Sequence, residues 1–216
     1  MSLLSVYDSG RSVGGRWVWR ALDLRLGAGE RLAVVGPSGS GKTLLLRALA
    51  GLDRLDEGEV RWEGRVPEAD GLPAHRARVG YLSQTPALFA GTVADNLRAP
   101  FDLGVHAGRA YDPEAACRAL DRLGRRAAFL DQGVDGLSGG ERQLAQLLRA
   151  MQAAPQVLLL DEPTASLDTA ATAEVEALVA DYLAAEAGRA AVWTSHDPAQ
   201  LDRATDRRLN LAAFAP

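Results

Sequence analysis

A stretch of eight residues, Gly36, Pro37, Ser38, Gly39, Ser40, Gly41, Lys42 and Thr43, has the types and spacing to hold phosphate. It reads "GPSGSGKT" and fits G-x-x-x-x-G-K-[ST]. Glycines at its ends let backbone N–H groups turn inward around an anion, and a helix start after Gly41 adds its positive dipole end. Lys42 supplies a point charge for the β- and γ-phosphates, and Thr43 a hydroxyl for Mg²⁺. Further along, "VLLLDEP" ends four apolar residues in Asp161 and Glu162. A buried strand ending in two acids places carboxylates at the edge of a sheet where α/β ligands sit. Asp161 is placed to hold Mg²⁺, and Glu162 to orient or deprotonate a water for in-line attack. His196 follows another apolar strand and can reach a γ-phosphate and the attacking water; Gln84, at the end of "YLSQ", offers an amide to Mg²⁺ or water. These residues imply ATP with Mg²⁺.

A second anion-type site is harder to place. In "LSGGERQ", Ser138 can cap a helix and Glu141 stands at the position of a capping box. The Gly139–Gly140 pair is costly in a first turn, yet it bares N–H groups that a phosphate could use. One nucleotide site is already complete, so the economical reading is that Ser138, Gly139 and Gly140 meet the γ-phosphate held by a second copy of the chain. Two chains would then pair head to tail.

The elements that must position these groups alternate. Residues 17–35 read as β structure, with Leu22, Leu24 and Leu26 at the period of a half-buried strand. A helix follows the glycine loop, "DEGEVRWEG" (56–64) reads as a hairpin edge, and 79–84 as a strand. Residues 90–130 turn helical. Strands are expected at 157–163 and 190–197, and a helix at 169–188 stopped by Gly188; Asp197 and Pro198 open another. Strands alternating with helices imply an α/β fold, a mostly parallel sheet with helices on both faces.

Composition narrows the class. The 216 residues suffice for one sizeable core with a smaller appended subdomain. A net charge of −4 gives no nucleic-acid footprint, so no nucleic-acid partner is expected. The single Cys117 fits a reducing compartment. The N-terminus carries no signal-peptide pattern, and no apolar run has the length of a membrane span, so any membrane part must come from another chain.

The order "GPSGSGKT … YLSQ … LSGGERQ … VLLLDEPTASLD … SH" resembles the nucleotide-binding domains of ATP-binding-cassette (ABC) ATPases, over nearly the whole chain. The resemblance implies a P-loop NTPase of the ABC ATPase fold: a RecA-like, mostly parallel core with a small antiparallel β subdomain (1–84 and 150–216) and an inserted helical subdomain (85–149). It makes Gly36–Thr43 the Walker A loop and Asp161 the Walker B aspartate. Glu162 becomes the catalytic glutamate, Gln84 the Q-loop glutamine, His196 the switch histidine, and Leu137–Glu141 the signature. Ser166, Leu167 and Asp168 become the D-loop that crosses a dimer interface and reaches the nucleotide. The implied function is ATP hydrolysis that drives a separate membrane permease, by a homodimer formed on ATP at the cytoplasmic face of the membrane. "YLSQTPALFAGTVADNL" resembles the small stand-alone ATPase subunits of bacterial iron or metal efflux ABC transporters. In that setting Leu88, Phe89 and Val93 form a permease-docking groove.

Three positions depart from the family pattern. Glu141 stands where the signature usually has Gln, and Leu144 where Arg is frequent. The aromatic that stacks on adenine is missing near Ser12 and Val13; Tyr7 is the preferred substitute, with Trp17 and Trp19 as alternatives. The competing reading is a non-transport ABC ATPase, a nucleotide-gated switch on a macromolecular partner. A long coiled coil or a second cassette would favour it, and neither is in this sequence. A switch without turnover would not need Glu162 and His196. With little chain after His196, no regulatory C-terminal domain is expected.

Overall fold

Two sheets with different jobs organise the chain, whose residues 2–216 are described by a computed structural model. The first sheet is antiparallel with strand order β2-β1-β4, from β1 (Ser2–Val13), β2 (Arg16–Gly27) and β4 (Glu57–Trp62). The second is parallel, with order β5-β6-β7-β3-β8. It comprises β3 (Arg31–Val35), β5 (Val79–Leu82), β6 (Val157–Asp161), β7 (Ala190–Thr194) and β8 (Arg207–Asn210).

The parallel sheet separates two cores because side chains alternate along each strand. On β6, Leu158 and Leu160 join one core while Val157 and Leu159 join the other. On β7, Ala191 and Trp193 divide in the same way from Ala190 and Val192. The first core takes in α3 (Val93–Arg98), α4 (Pro113–Arg122) and α5 (Gly139–Gln152) of the helical segment, together with α6 (Thr169–Ala184). The second packs α1 (Lys42–Leu49) between the two sheets, through Leu45, Leu46 and Leu49 against Leu4, Leu24 and Leu159. Every residue of β6 is buried, which is why its sequence is a continuous apolar run up to Asp161.

Three elements were not anticipated: the 12-residue β1 and the short β8 and α2 (Leu72–Arg78). The predicted hairpin edge is β4, the outer strand of the antiparallel sheet, which turns back through Glu63 and Gly64 to a bridge between Trp62 and Arg65. The last helix, α7 (Pro198–Ala204), starts as expected, with Asp197 accepting from Ala199 N and proline in its first turn. Among the described residues, no helix is long and apolar enough to cross a membrane.

Candidate functional site

Because the five strands are parallel, their C-terminal ends share one edge, and the chemistry-bearing residues collect there. The glycine loop follows β3, Gln84 follows β5, Asp161 ends β6, and His196 follows β7. In the loop, Gly41 has φ 94°, and a Cβ there would come within 2.6 Å of Val18 Cγ1 and 3.0 Å of Trp19 Cζ3. Only glycine allows the loop to lie this close to β2. Trp19, fully buried, is thus a wall behind the loop. Lys42 Nζ donates to Gly36 O at 2.9 Å and to Pro37 O at 3.2 Å, so the lysine curls over the loop it belongs to.

The loop fits a polyphosphate on two counts. Ser40 Oγ is shielded and has no hydrogen-bond partner among the described residues. A Cβ at Gly36 would lie 2.6 Å from that same oxygen, so the missing side chain keeps the cradle open. The donors available to Mg²⁺ are the exposed Thr43, the amide of Gln84 and the single carboxylate of Asp161. One carboxylate plus phosphate oxygens suits Mg²⁺, which is seldom caged by protein alone.

The two acids differ in setting. Asp161 is 2 % exposed and accepts two hydrogen bonds: Thr194 Oγ1 to Oδ1 at 2.9 Å, and the Tyr81 hydroxyl to Oδ2 at 3.1 Å. Burial, reinforced by the charge of Asp161, pushes the Tyr81 phenol far above its ordinary range, so it stays a donor. Glu162 reaches out of the sheet with φ 49°, an uncommon left-handed conformation for a residue with a side chain. Its N–H donates to Thr194 Oγ1 at 3.0 Å. Its carboxylate lies 2.8 Å from His196 Nε2 through Oε1 and accepts from Gln84 Nε2 at 3.2 Å through Oε2. Gln84, Glu162 and His196 therefore form one cluster. A carboxylate held between an amide and an imidazole at a pocket mouth can accept a proton from a water.

The second anion-type site is a capped helix N-terminus, as its sequence suggests. Ser138 Oγ accepts from Glu141 N, and the Glu141 carboxylate accepts from Ser138 N and Oγ. The glycine pair divides in role. A Cβ on Gly140 would meet Leu167 Cδ2 at 2.8 Å and Ser166 O at 2.9 Å, so Gly140 is required by packing inside the chain. A Cβ on Gly139 would make only ordinary 3.6 Å contacts with Ser166. Asp168 caps α6 by accepting from Ala171 N.

Three residues given no role from the sequence join the site. Thr194 links Asp161 to Glu162, and Tyr81 fastens the other oxygen of Asp161. Gln143, 4 % exposed on α5, donates to Glu162 O at 3.2 Å and accepts from Ser166 N at 3.0 Å. One buried amide thereby joins α5, the acid pair and the 164–168 loop. Glutamines at 143 and 146 within the mainly apolar stretch of α5 were the available signal.

Tyr7 lies apart from this cluster and is not among the residues lining the cleft beside the loop. Its ring sits between the guanidinium groups of Arg25 and Arg61, 5.3 and 5.2 Å from the ring centre, on the antiparallel sheet. The cleft is lined instead by Trp17, with Val13, Arg16, Val18, Pro37–Ser40, Ala212 and Ala215. The Arg20 guanidinium lies 4.5 Å from the Trp17 ring centre. The expected docking groove also changes: Val93 is fully buried in α3 and Leu88 packs on the core, leaving Phe89, 64 % exposed. These two face inward because α3 is pinned by Asn96, which accepts from Phe89 N and donates to Phe89 O.

Comparison with known proteins gives a consistent picture. Residues 19–165 match the family model described as ABC transporter. The chain is 36% identical over 206 residues to a Rhodococcus jostii protein named Fe(3+) ions import ATP-binding protein FbpC 1, covering 94% of this chain and 58% of that one. It is 34% identical over 213 residues to the Escherichia coli protein named Probable iron export ATP-binding protein FetA, covering 99% and 92%. The chain thus spans little more than half the length of the import relatives it matches. Among solved structures, the ATP-binding cassette MJ0796, dimeric and bound to ADP and Pi, aligns with TM-score 0.84 at 23% identity over 96% of this chain and 94% of that one.

Proposed function

We propose, from the premise that this chain belongs to the ABC transporter family, that it is the ATP-hydrolysing subunit of an ABC transporter. It works as a head-to-tail homodimer around two ATP and drives a separate permease from the cytoplasmic face of the membrane. The observation that supports this best is the Glu162 carboxylate held by both His196 and Gln84, next to Asp161 at the end of β6, with only β7 between that strand and β3, which leads into the glycine loop. A nucleotide-gated switch without turnover would have no use for that cluster.

In this reading the loop 36–43 binds the phosphates, Lys42 neutralises the β- and γ-oxygens, and Thr43, Gln84 and Asp161 hold Mg²⁺. The metal ion supplies charge neutralisation between the phosphates. Glu162 takes a proton from the attacking water, and His196 orients Glu162. The cleft of Trp17 and Arg16 takes the base and ribose, a role transferred from Tyr7 on the placement of its ring. Ser138, Gly139, Gly140 and Asp168 serve the nucleotide of the opposite chain. The helical segment 85–149 presents the first three of these, while 1–84 and 150–216 hold the nucleotide and carry Asp168. The iron named in both import and export relatives makes an iron-related cargo the proposal for the permease; cellular iron content with and without this chain tests it.

A complementation experiment tests the head-to-tail arrangement. Ser138→Arg fills one anion site, and Lys42→Ala empties the other. Each variant alone is expected to be inactive. On mixing, both lesions fall on one composite site and leave the other whole, so hydrolysis returns. Mixed dimers that form and hydrolyse nothing would mean that the sites are in cis or that both must be intact together; cysteines placed at Ser38 and Ser138 then decide, because only the trans geometry cross-links two chains.

A further inference from the structure

Ser138 has one hydroxyl proton, and in this structure Glu141 holds it. Ser138 Oγ donates to Glu141 Oε2 at 2.8 Å, and Ser138 N donates to the same oxygen at 3.0 Å. A γ-phosphate oxygen is an acceptor only, so Ser138 serves it with the proton now given to Glu141. A neutral glutamine would close the same capping box through its amide oxygen. The carboxylate adds something the cap does not need: a negative charge beside the place where a polyanion must arrive. Its charge is secure at neutral pH, because the Ser138 N–H and then its hydroxyl hold the Glu141 carboxyl below the usual range.

A compensating cation stands on the other side. Arg125, just beyond the end of α4, reaches Glu141 Oε1 at 3.2 Å. The nearby Arg142 is otherwise engaged, donating to the carbonyls of Leu137 and Asp135. Among the described residues, Arg125 is therefore the one guanidinium that meets the carboxylate of the Ser138 helix. We propose that Glu141 restrains engagement of Ser138 with the nucleotide of a second copy, and that Arg125 sets how strong the restraint is. The inference rests on the head-to-tail reading above. It makes the residue pair 141 and 125 a tuning device for ATP-driven pairing, with Glu141 as a positioning residue for Ser138.

The test uses Glu162→Gln as background, so that ATP is retained, and follows dimer formation by analytical ultracentrifugation as Mg-ATP is titrated. Adding Glu141→Gln should lower the ATP needed for half-dimerisation roughly tenfold, the size of a charge-assisted contact. Arg125→Gln, which leaves the capping box untouched, should raise it. In the Glu141→Gln background Arg125→Gln should change nothing, since its carboxylate partner is gone. The gap between chains with and without Glu141→Gln should also narrow with added salt, as a charge effect must and a lost cap would not. Dimerisation that ignores residue 141, or an Arg125 effect that survives Glu141→Gln, overturns the proposal alone. A chain that binds ATP and stays monomeric at every concentration overturns the head-to-tail reading, and the proposal with it.

Discussion

Nε2 of His196 lies 2.8 Å from Oε1 of Glu162, and the two side chains differ sharply in exposure, 62% against 11%. The histidine thus approaches from solvent onto a carboxylate that the sheet edge already holds. Glu162→Gln keeps the shape of that contact and removes the proton acceptor. Hydrolysis should fall by about 10²- to 10⁴-fold with ATP binding unchanged. Single-turnover assays beside nucleotide titration check this; wild-type turnover would remove Glu162 from the chemistry.

Thr194 offers a sharper test, because it touches no substrate. Its hydroxyl donates to Asp161 Oδ1 and accepts from Glu162 N. Thr194→Val leaves a buried carboxylate oxygen and an N–H short of partners, a loss of about 1–3 kcal/mol. We expect a higher Mg²⁺ requirement and a lower kcat, both restored by Thr194→Ser. A Val variant with unchanged Mg²⁺ dependence would reduce Thr194 to packing.

Trp17 and Tyr7 can be separated directly. Trp17→Ala should weaken ATP binding roughly threefold to tenfold, the scale of a lost aromatic stack. Tyr7→Ala should leave affinity alone, since the ring is engaged by Arg25 and Arg61. Isothermal titration of both variants decides; the reverse ranking would return the base to Tyr7.

Gln143→Leu preserves volume and breaks both of its hydrogen bonds, leaving Glu162 O and Ser166 N unpaired by it. Stability should drop by about 1–3 kcal/mol, and kcat should fall more than KM rises. Denaturant melts and steady-state kinetics measure the two effects. An unchanged kcat with the full stability loss would confine Gln143 to the fold.

Phe89→Asp should disrupt assembly with the proposed permease while the isolated subunit keeps its fold and its ATP affinity. The ring is exposed and the loop beneath it is held by Asn96, so little internal packing is lost. Co-purification from membranes reads the outcome; an intact complex would move the docking surface elsewhere.

The parts of the site legible in the sequence were those whose chemistry is local. The glycine loop, the acid pair and the Ser138 cap each lie within a few residues, and β6, β7 and α5 carry strong apolar patterns. What escaped was either irregular or distant. β1 breaks its alternation at register shifts around Ser9 and Arg11, and Asp8 takes a positive φ, so no strand period survives. β8 is four residues long and rich in arginine. Thr194 and Tyr81 reach Asp161 from positions 33 and 80 residues away, pairs that no local pattern announces. Tyr7 looked suitable by type, but the face it occupies is set by pairing with β4.

The position of β3 has a consequence for how the chain is made. β3 ends at residue 35, yet its two neighbours in the sheet are β7 and β8, at 190–194 and 207–210. As the polypeptide leaves the ribosome, the strand that carries the glycine loop waits for both flanking strands until most of the sequence has been synthesised. The antiparallel sheet needs only residues up to 62 and can form early. Nucleotide binding is therefore among the last properties a nascent chain acquires, and a chain stalled before β7 exposes an unpaired apolar strand that chaperones or proteases can recognise.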